Sequence, residues 1–133
     1  MKKSKKSLVE VLDGEFSMYV RLRDARDDGY IECVSCHRVL PFKEFDCGHY
    51  IPRANSSVRF DERNCNAQCK DCNQYKSGNL EEYRLGLIER YGEDVVLELE
   101  AKKHEMAKLD DDWLKERIAY YRQENRRLKK EKL

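Results

Sequence analysis

Apolar side chains recur at helical spacing near the start of the chain. Residues 13–27 predict an amphipathic helix in which Asp13 is the N-cap and the pair Asp28-Gly29 supplies the stop signal. The stripe on one face of this predicted helix comprises Phe16, Tyr19, Val20 and Arg23. The chain is therefore expected to begin its folded part with a helix that buries one side.

The helical pattern returns after residue 79. Asn79 and Glu82 have the spacing of a capping box, and the first helix of this region is expected to end at Gly92. The acidic run at 110–112 favours the start of the last helix, because carboxylates are stabilised at the positive end of a helix dipole. The three apolar stripes are Leu80, Tyr83, Leu87 and Tyr91; Val95, Leu99, Met106 and Leu109; and Leu114, Ile118, Tyr121 and Leu128.

Between these regions the pattern changes to short strands and loops, because Pro41, Gly48 and Pro52 exclude a long helix. Asp71 is then expected to cap a short helix, which gives the order strand, strand, helix. Strands are predicted at residues 30–33, 45–51 and 58–60, with the last two forming a hairpin.

The strand at 45–51 divides its side chains between two faces. Cys47 and His49 share one face, and Asp46 and Gly48 share the other, because successive side chains of a strand point in opposite directions. The strand therefore separates a thiol and an imidazole from the nearest carboxylate.

The chain has 133 residues, of which 40% are charged, so it has room for one domain, or a small domain with an extension, around a modest apolar core. A metal ion would help such a chain to fold. The basic start is followed by too short an apolar segment for a signal peptide, and the sequence contains no run of about 18 apolar residues that could span a membrane. We therefore expect a cytoplasmic protein.

Six cysteines carry the most informative chemistry, and four of them form two C-x-x-C pairs. In a reducing compartment such pairs favour metal binding over disulfides, and two tight turns supply the four thiolates of a tetrahedral zinc site. Zinc held by four thiolates has no open position, so its role is structural. The predicted ligands are Cys33, Cys36, Cys69 and Cys72. The alternative is that one pair consists only of buried thiols.

The remaining cysteines and two of the histidines are expected to have no ligand role. Cys47 and Cys65 are interpreted as buried thiols, although Cys65 and the second pair could supply three ligands by themselves. The C-x-x-C-H pattern that begins at Cys33 is also typical of haem attachment, but haem would leave the second pair unexplained. His37 and His104 are expected to lie at the surface.

His49 is a candidate general base, because an imidazole with an ordinary pKa is largely neutral at pH 7 and can accept a proton. A lone histidine is more often structural, so the surrounding pattern matters. His49 opens an H-x-x-P segment ending at Pro52, Asn64 follows, and Asn73 comes directly after the second C-x-x-C pair. This series resembles the HNH (ββα-metal, or His-Me finger) endonuclease motif.

The resemblance implies a role for each motif position. His49 would activate water, Asn64 would support the hairpin and the histidine, and Asn73 would lie beside a catalytic magnesium or manganese ion. Lys76 would face the DNA backbone. These roles come from the resemblance and not from spacing or composition.

One position departs from the usual HNH pattern. Most HNH enzymes have an Asp or His ligand of the catalytic metal immediately before the base, and this chain has Gly48. Asp46 is the nearest carboxylate, and on a regular strand it reaches the metal only if a bulge or turn re-aims it. Asp46 is nevertheless the candidate metal ligand together with Asn73.

The chain also resembles a narrower family, and this resemblance includes the glycine before the histidine. The segments that carry it are residues 19–24, the first C-x-x-C pair, residues 46–50, residues 64–73 and the helical region from Leu80. Over residues 15–125 the chain is similar to the NinG/Rap recombination endonucleases of lambdoid phages. This resemblance implies a DNA nuclease that acts on branched recombination intermediates such as D-loops and Holliday junctions.

Charge is unevenly distributed, although the net charge is only +1. Residues 80–112 carry 5 Lys/Arg against 11 Asp/Glu, whereas residues 113–133 carry 8 against 3. Local basic patches, rather than net charge, bind phosphates. Candidate DNA contacts are Arg53, Lys76, Arg122, Arg126, Arg127, Lys129, Lys130 and the Lys2–Lys6 arm, although a solvated helix face explains the C-terminal run equally well.

Together these features predict an α+β protein with a ββα-metal core, a four-cysteine structural zinc and flanking helices. The expected layout is a basic arm at 1–12, a zinc-stapled nuclease core at 13–79 and a helical C-terminal extension at 80–133. The expected function is hydrolysis of branched DNA in phage-infected or prophage-bearing bacteria, and a homodimer is plausible. The main alternative is a non-catalytic zinc module that binds DNA or a protein partner, and a redox or haem protein is the third class.

Overall fold

The computed structural model of the chain describes residues 7–133, so the basic segment Lys2–Lys6 lies outside the described residues. The first helix, α1, spans Leu8–Asp24 and therefore begins before the predicted start. Its N-cap is Ser7, whose hydroxyl oxygen accepts a hydrogen bond from the backbone N–H of Glu10 at 3.2 Å. The prediction of Asp13 as the cap is wrong, because Asp13 lies inside the helix.

Two antiparallel hairpins follow α1. β1 (Tyr30–Glu32) pairs with β2 (Val39–Pro41), and the first C-x-x-C pair lies in the connection between them. β3 (Phe45–His49) pairs with β4 (Cys65–Cys69), so that His49 stands opposite Cys65. The two longer strand predictions are confirmed, although β1 and β3 end earlier than expected.

The prediction that residues 58–60 pair with β3 is wrong. These residues lie in consecutive turns, in which the Val58 N–H donates to the Asn55 carbonyl and the Val58 carbonyl accepts from Asp61. Val58 is buried in an apolar cluster with Ile51 and Leu99, which explains why the segment is apolar without being a strand. All five residues of β4 are buried, and β4 takes the place beside β3.

The region after β4 contains less helix than predicted. Asp71–Tyr75 forms a single π-helical turn, and Asp71 lies inside this turn instead of capping it. α2 spans Leu80–Tyr91, and Gly92 stops it at the predicted position. Asn79 occupies the predicted N-cap position of α2, but its side chain makes no capping hydrogen bond. Its backbone is left-handed, and its side-chain amide lies 3.4 Å from the Cys72 sulfur.

α3 is also shorter than its predicted stripe. It spans Glu93–Ala101, so Met106 lies beyond the helix and is 78% exposed. The segment after α3 is instead held to the loop that precedes β4. In these contacts the Ser57 hydroxyl donates to the Lys102 carbonyl, and the Ser56 hydroxyl oxygen accepts from the Ala107 N–H, both at 2.8 Å.

The last helix, α4, spans Asp111–Lys132 and packs along α1. It begins where predicted, because the Asp110 carboxylate accepts a hydrogen bond from the Trp113 N–H. The predicted stripe is confirmed, and the buried residues of α4 are Leu114, Ile118, Tyr121, Asn125 and Leu128. The described residues thus form a mixed α+β fold in which α1 lies between α4 and the β3–β4 hairpin. Within residues 7–133, no helix is long and apolar enough to cross a membrane.

Candidate functional site

Four cysteine sulfurs converge where the two hairpins meet. Cys33 and Cys36 come from the β1–β2 connection, and Cys69 and Cys72 come from the end of β4 and the turn after it. All four sulfurs lie within 4.8 Å of one another, and those of Cys36 and Cys69 are 3.7 Å apart. Zinc–sulfur bonds of about 2.3 Å in a tetrahedron place sulfurs about 3.8 Å apart. The four cysteines could therefore hold a structural metal ion.

Nitrogen donors surround these sulfurs, as expected if the sulfurs are thiolates. The Arg38 guanidinium lies 3.3 Å from both the Cys36 and the Cys69 sulfur, and it also pairs with Asp71. The backbone N–H of Cys69 lies 3.3 Å from the Cys33 sulfur. Burial raises the pKa of Cys36, but hydrogen bonds from Arg38, Cys33 and Cys69 outweigh burial and lower this pKa to about 6. The donor set thus fits a closed, four-thiolate metal site.

His49 lies at the end of β3 and lines an open cleft of about 340 Å³. Its Nε2 atom is 3.1 Å from the carbonyl oxygen of Arg59. A hydrogen on Nε2 would donate to this carbonyl and leave the lone pair on Nδ1. Burial lowers the pKa of His49 and outweighs the hydrogen bond to the Arg59 carbonyl, which raises it, so the imidazole is neutral at pH 7. A neutral imidazole with its tautomer set in this way can accept a proton.

Asn64 is fully buried and binds the loop that follows His49. Its side-chain amide donates to the carbonyls of Ile51 at 3.0 Å and Val58 at 3.2 Å. Its side-chain oxygen accepts from the Ile51 N–H at 2.9 Å. Asn64 therefore positions the loop beyond His49, and its burial keeps it from touching a substrate.

Asp46 and Asn73 are brought together from β3 and the π-helical turn. One Asp46 carboxylate oxygen accepts hydrogen bonds from the side-chain amides of Asn73 at 3.0 Å and Gln74 at 2.8 Å. Asn73 also lines the cleft that contains His49. A carboxylate and an amide oxygen are ligand types that magnesium accepts. No rearrangement of β3 is needed to bring Asp46 to Asn73.

Packing explains why position 48 has no side chain, and the contact lies on the face of β3 opposite His49. A Cβ atom at this position would lie 2.4 Å from the side-chain oxygen of Gln68. The Gln68 amide is fixed by donating to the Ser35 hydroxyl at 2.9 Å and the Gly78 carbonyl at 2.6 Å. Gln68 therefore occupies the space that any side chain at position 48 would need.

The candidate DNA contacts are distributed over separate parts of the surface. Arg53 lines the His49 cleft and lies 3.7 Å from Asp13, and Lys76 lies 3.6 Å from Asp71 on the π-helical turn. On α4, Arg122 pairs with Glu15, Arg127 pairs with Glu124 and Glu131, and Arg126 is exposed. Of the described residues, those that line the cleft are Asp13, Phe16, Ser17, Cys47, His49, Arg53 and Asn73, and none is on α4. His37 and His104 are exposed, as predicted.

Tyr83 is a buried residue of α2 that supports the site and that the sequence identifies only as part of an apolar stripe. Its hydroxyl donates to the Gly48 carbonyl at 2.6 Å, which fixes β3 directly before His49. It also lies 3.3 Å from the side-chain amide of Asn66. A buried tyrosine needs a partner for its hydroxyl, but the sequence gives no sign of which backbone group supplies it.

Fold and site together define a small α+β protein with a four-cysteine candidate metal centre beside a histidine-lined cleft. Residues 1–131 of the chain match the family described as Bacteriophage Lambda NinG protein, so the chain belongs to the NinG family. Protein ninG of Salmonella phage P22 is 47% identical over 89 residues, which cover 65% of this chain and 41% of that protein. Protein ninG of Escherichia phage lambda is 45% identical over 84 residues, or 62% of this chain and 39% of that protein.

Protein ninG of Escherichia phage 933W is 46% identical over 84 residues. In all three relatives the matched part is 39% to 41% of the protein, so the chain spans well under half of their length. No solved structure matches the chain. The predicted phage family is confirmed.

Proposed function

We propose that the protein is an HNH-type, metal-dependent DNA endonuclease that hydrolyses phosphodiester bonds in branched recombination intermediates such as Holliday junctions and D-loops. The observation that supports this most directly is the arrangement of His49 in the cleft. Its Nε2 lies against the Arg59 carbonyl, and burial lowers its pKa. His49 would therefore accept a proton from water through Nδ1 while water attacks the phosphate.

Other residues would orient the reacting groups. Asp46 and Asn73, whose side chains share a hydrogen bond of 3.0 Å from the amide nitrogen to the carboxylate, would turn their oxygens toward a magnesium or manganese ion. When bound, this ion would offset the charge on the phosphate and on the leaving oxygen. Arg53, whose side chain is 60% exposed at the cleft, would bind a neighbouring phosphate. Asn64 would keep the loop after His49 in place.

The four-cysteine site would hold zinc and take no part in the reaction. Four thiolates saturate a zinc ion, so no position is left for water or phosphate. The site joins the β1–β2 connection to the end of β4, and β4 pairs with the strand that carries His49. Zinc would therefore act by holding the hairpin that presents the base.

The preference for branched DNA and the phage recombination role come from the family resemblance. A non-catalytic zinc module that binds DNA or a protein partner is the competing function, and it would use the same four cysteines. The two functions differ in what His49 does. A substitution of His49 can therefore distinguish the two functions.

The test is cleavage of a four-way junction and a D-loop by the purified protein with Mg²⁺ or Mn²⁺. We expect His49→Ala to lower the cleavage rate by about 10²- to 10⁴-fold, the contribution typical of a general base. Junction binding and the zinc held by the four cysteines should not change. His104→Ala, which alters an exposed histidine, is the matched control and should cleave normally.

Unchanged cleavage by His49→Ala would remove this residue from the role of base. Binding of junctions without cleavage by the wild-type protein, under all metal conditions, would favour the non-catalytic module.

A further inference from the structure

A second group of metal-binding side chains lies on the β3–β4 hairpin, separate from the four-cysteine site. It consists of Cys47 and His49 on β3 and Cys65 on β4, and one ligand atom from each lies within 4.8 Å of the others. His49 stands opposite Cys65 in the strand register, and Cys47 lies two residues before His49. All three side chains therefore project from one face of the hairpin.

The donor set selects a particular class of ion. Two thiols and an imidazole are ligands for zinc and similar thiophilic cations, whereas magnesium prefers oxygen. Ligand atoms around zinc stand between about 3.3 and 3.8 Å apart in a tetrahedron, so the three side chains need shifts of only about 1 Å to close on an ion. Small side-chain rotations can provide such shifts.

Charge balance also favours an ion at this position. Cys65 is fully buried beside Phe16 and Val20 of α1, an environment that penalises an isolated charge. Two thiolates and one divalent cation sum to zero, and the two thiol protons leave to solvent when the ion binds. The apolar surroundings therefore tolerate the complete site better than they tolerate one free thiolate.

The cleft supplies both an entry path and an open position. Cys47 and His49 line the cleft, whereas Cys65 lies behind them. Three protein ligands leave the fourth position of a tetrahedral ion free, unlike the closed four-cysteine site. An ion held in this way would be exchangeable from the cleft.

We propose that Cys47, His49 and Cys65 form a second, exchangeable zinc site whose occupation switches off the nuclease. The inhibitory part rests on the proposed function, because a neutral imidazole has a single free lone pair and zinc bound at either ring nitrogen takes it from the proton. The metal site itself depends only on the three side chains. Zinc would thus stabilise the protein at one position and inhibit it at the other.

The first experiment measures metal content independently of activity. Protein saturated with zinc in the presence of a non-thiol reductant is desalted, and zinc per chain is determined. We expect two zinc ions in the wild type and one in Cys47→Ala, which removes a half-buried thiol at the cleft. His104→Ala is the control and should retain two. Circular dichroism verifies that each variant is folded.

Cobalt gives a second readout, because thiolate–cobalt bonds absorb in the near ultraviolet and visible range. The wild type is first prepared with zinc in the four-cysteine site only. Titration with Co²⁺ should then add the bands of a two-thiolate site, and these bands should be missing from Cys47→Ala and Cys65→Ala. In the metal analysis, a result of one zinc ion per wild-type chain, or of two per Cys47→Ala chain, would overturn the proposed second site.

The third experiment adds zinc to the magnesium-dependent cleavage of a four-way junction. Half-inhibition of Cys47→Ala should need at least about tenfold more zinc than half-inhibition of the wild type, because loss of a direct ligand weakens binding at least as much as loss of an outer-shell contact. Equal zinc sensitivity would overturn the inhibitory role. If no variant cleaves DNA, the proposed function fails, while metal content still decides the second site.

Discussion

Gly48 is constrained by space and not by backbone conformation. Its backbone is ordinary strand, but the Gln68 side chain lies where a Cβ atom would be. The side-chain oxygen of Gln68 is buried without a hydrogen-bond partner among the described residues. A glycine C–H directed at this oxygen is a weak donor that partly offsets the missing partner. A larger residue at position 48 therefore requires a compensating substitution of Gln68.

Gly48→Ala is expected to lower the free energy of unfolding by about 1–3 kcal/mol, the usual range for overpacking a filled interior. The added methyl group would displace Gln68 from its hydrogen bonds to Ser35 and Gly78. Urea unfolding measures the change. The control is Gly14→Ala in α1, where a Cβ atom meets nothing within 4 Å.

Gly14→Ala should instead stabilise the protein slightly, since alanine is favoured over glycine inside a helix. A double-mutant cycle sharpens the test. On a Gln68→Ala background, Gly48→Ala should cost clearly less than in the wild type. Equal costs on both backgrounds would mean that Gln68 is not what excludes a side chain at position 48.

The sequence was most informative where chemistry is local. C-x-x-C spacing places two sulfurs in one turn, so the four cysteines of the candidate metal centre could be predicted before the fold was known. The partners of Asn64, in contrast, are carbonyls of Ile51 and Val58. No sequence pattern marks which backbone carbonyls a buried amide will find, so its contacts could not be predicted.

At the scale of elements, one charged network joins α1, β4 and α2. Arg23 and Asp24 pair at the end of α1, and the Arg23 guanidinium donates to the Cys65 carbonyl at 2.8 Å. The Asp24 carboxylate accepts from the Ala67 N–H at 2.8 Å and lies 3.3 Å from Arg90 of α2. Buried charges of this kind are tolerated because each has a partner.

Asp24→Asn is expected to lower the free energy of unfolding at pH 7 by on the order of 3 kcal/mol, because it leaves the Arg23 charge buried without its partner. Burial raises the pKa of Asp24, but Arg23 and Arg90 outweigh burial and hold it below the ordinary 3.8. The stabilisation is therefore present above pH 3.8 and is lost as pH falls through the lower folded pKa.

Urea unfolding of wild type and variant from pH 7 to pH 2 tests this prediction. The difference between the two proteins should narrow below pH 3.8. Asp27→Asn, which changes an exposed carboxylate in the following turn, should behave as the wild type does. Equal stability of Asp24→Asn and the wild type at pH 7 would contradict the proposed importance of the network.

α2 packs directly against the turn that carries the first C-x-x-C pair. A Cβ atom at Gly86 would lie 1.9 Å from the Val34 carbonyl oxygen, which is backbone and cannot rotate away. Gly86→Ala should therefore separate α2 from this turn and lower the unfolding free energy by at least about 1–3 kcal/mol. It should also speed the release of zinc to a chelator. Gly14→Ala again serves as the control, and similar zinc release from both variants would argue against the coupling.

Elements were predictable in proportion to the length of their apolar pattern. α2 and α4 have long stripes, and both were placed within a residue of their observed starts. The pairing of β3 with β4 depends on residues 16 to 24 positions apart, whereas the expected partner at 58–60 was simply nearer in the chain. Short apolar runs can be buried in turns, as Val58 is, so pattern alone could not choose the correct strand.

At the scale of the whole molecule, the last helix completes the core that the first helix begins. Phe16 of α1 packs edge-on against Tyr121 of α4, with ring centroids 5.2 Å apart. Lys132 near the chain end donates to the carbonyls of Leu22 and Arg23 at 2.9 and 3.1 Å. These contacts satisfy carbonyls at the C-terminal end of α1. α4 is thus packed over the layer that supports β3 and β4.

This packing leads to a prediction about the boundary expected at residue 79. If residues 80–133 were a separable extension, a chain ending at residue 110 would keep the preceding residues folded. Removal of α4 would instead expose Leu12, Phe16 and Val20, which it covers. The four apolar residues that α4 buries contribute about 1.5–3 kcal/mol each, which together is comparable to the whole stability of a small domain.

A chain ending at residue 110 is therefore expected to lack a cooperative urea transition, even with zinc present. The measurement is circular dichroism and tyrosine fluorescence during urea titration of both chains. A chain that ends at residue 131 removes only Lys132 and Leu133 and is the matched control, because it keeps the four apolar contacts of α4. It should unfold cooperatively at a slightly lower urea concentration. A cooperative, near-wild-type transition in the shorter chain would show instead that the core folds without α4.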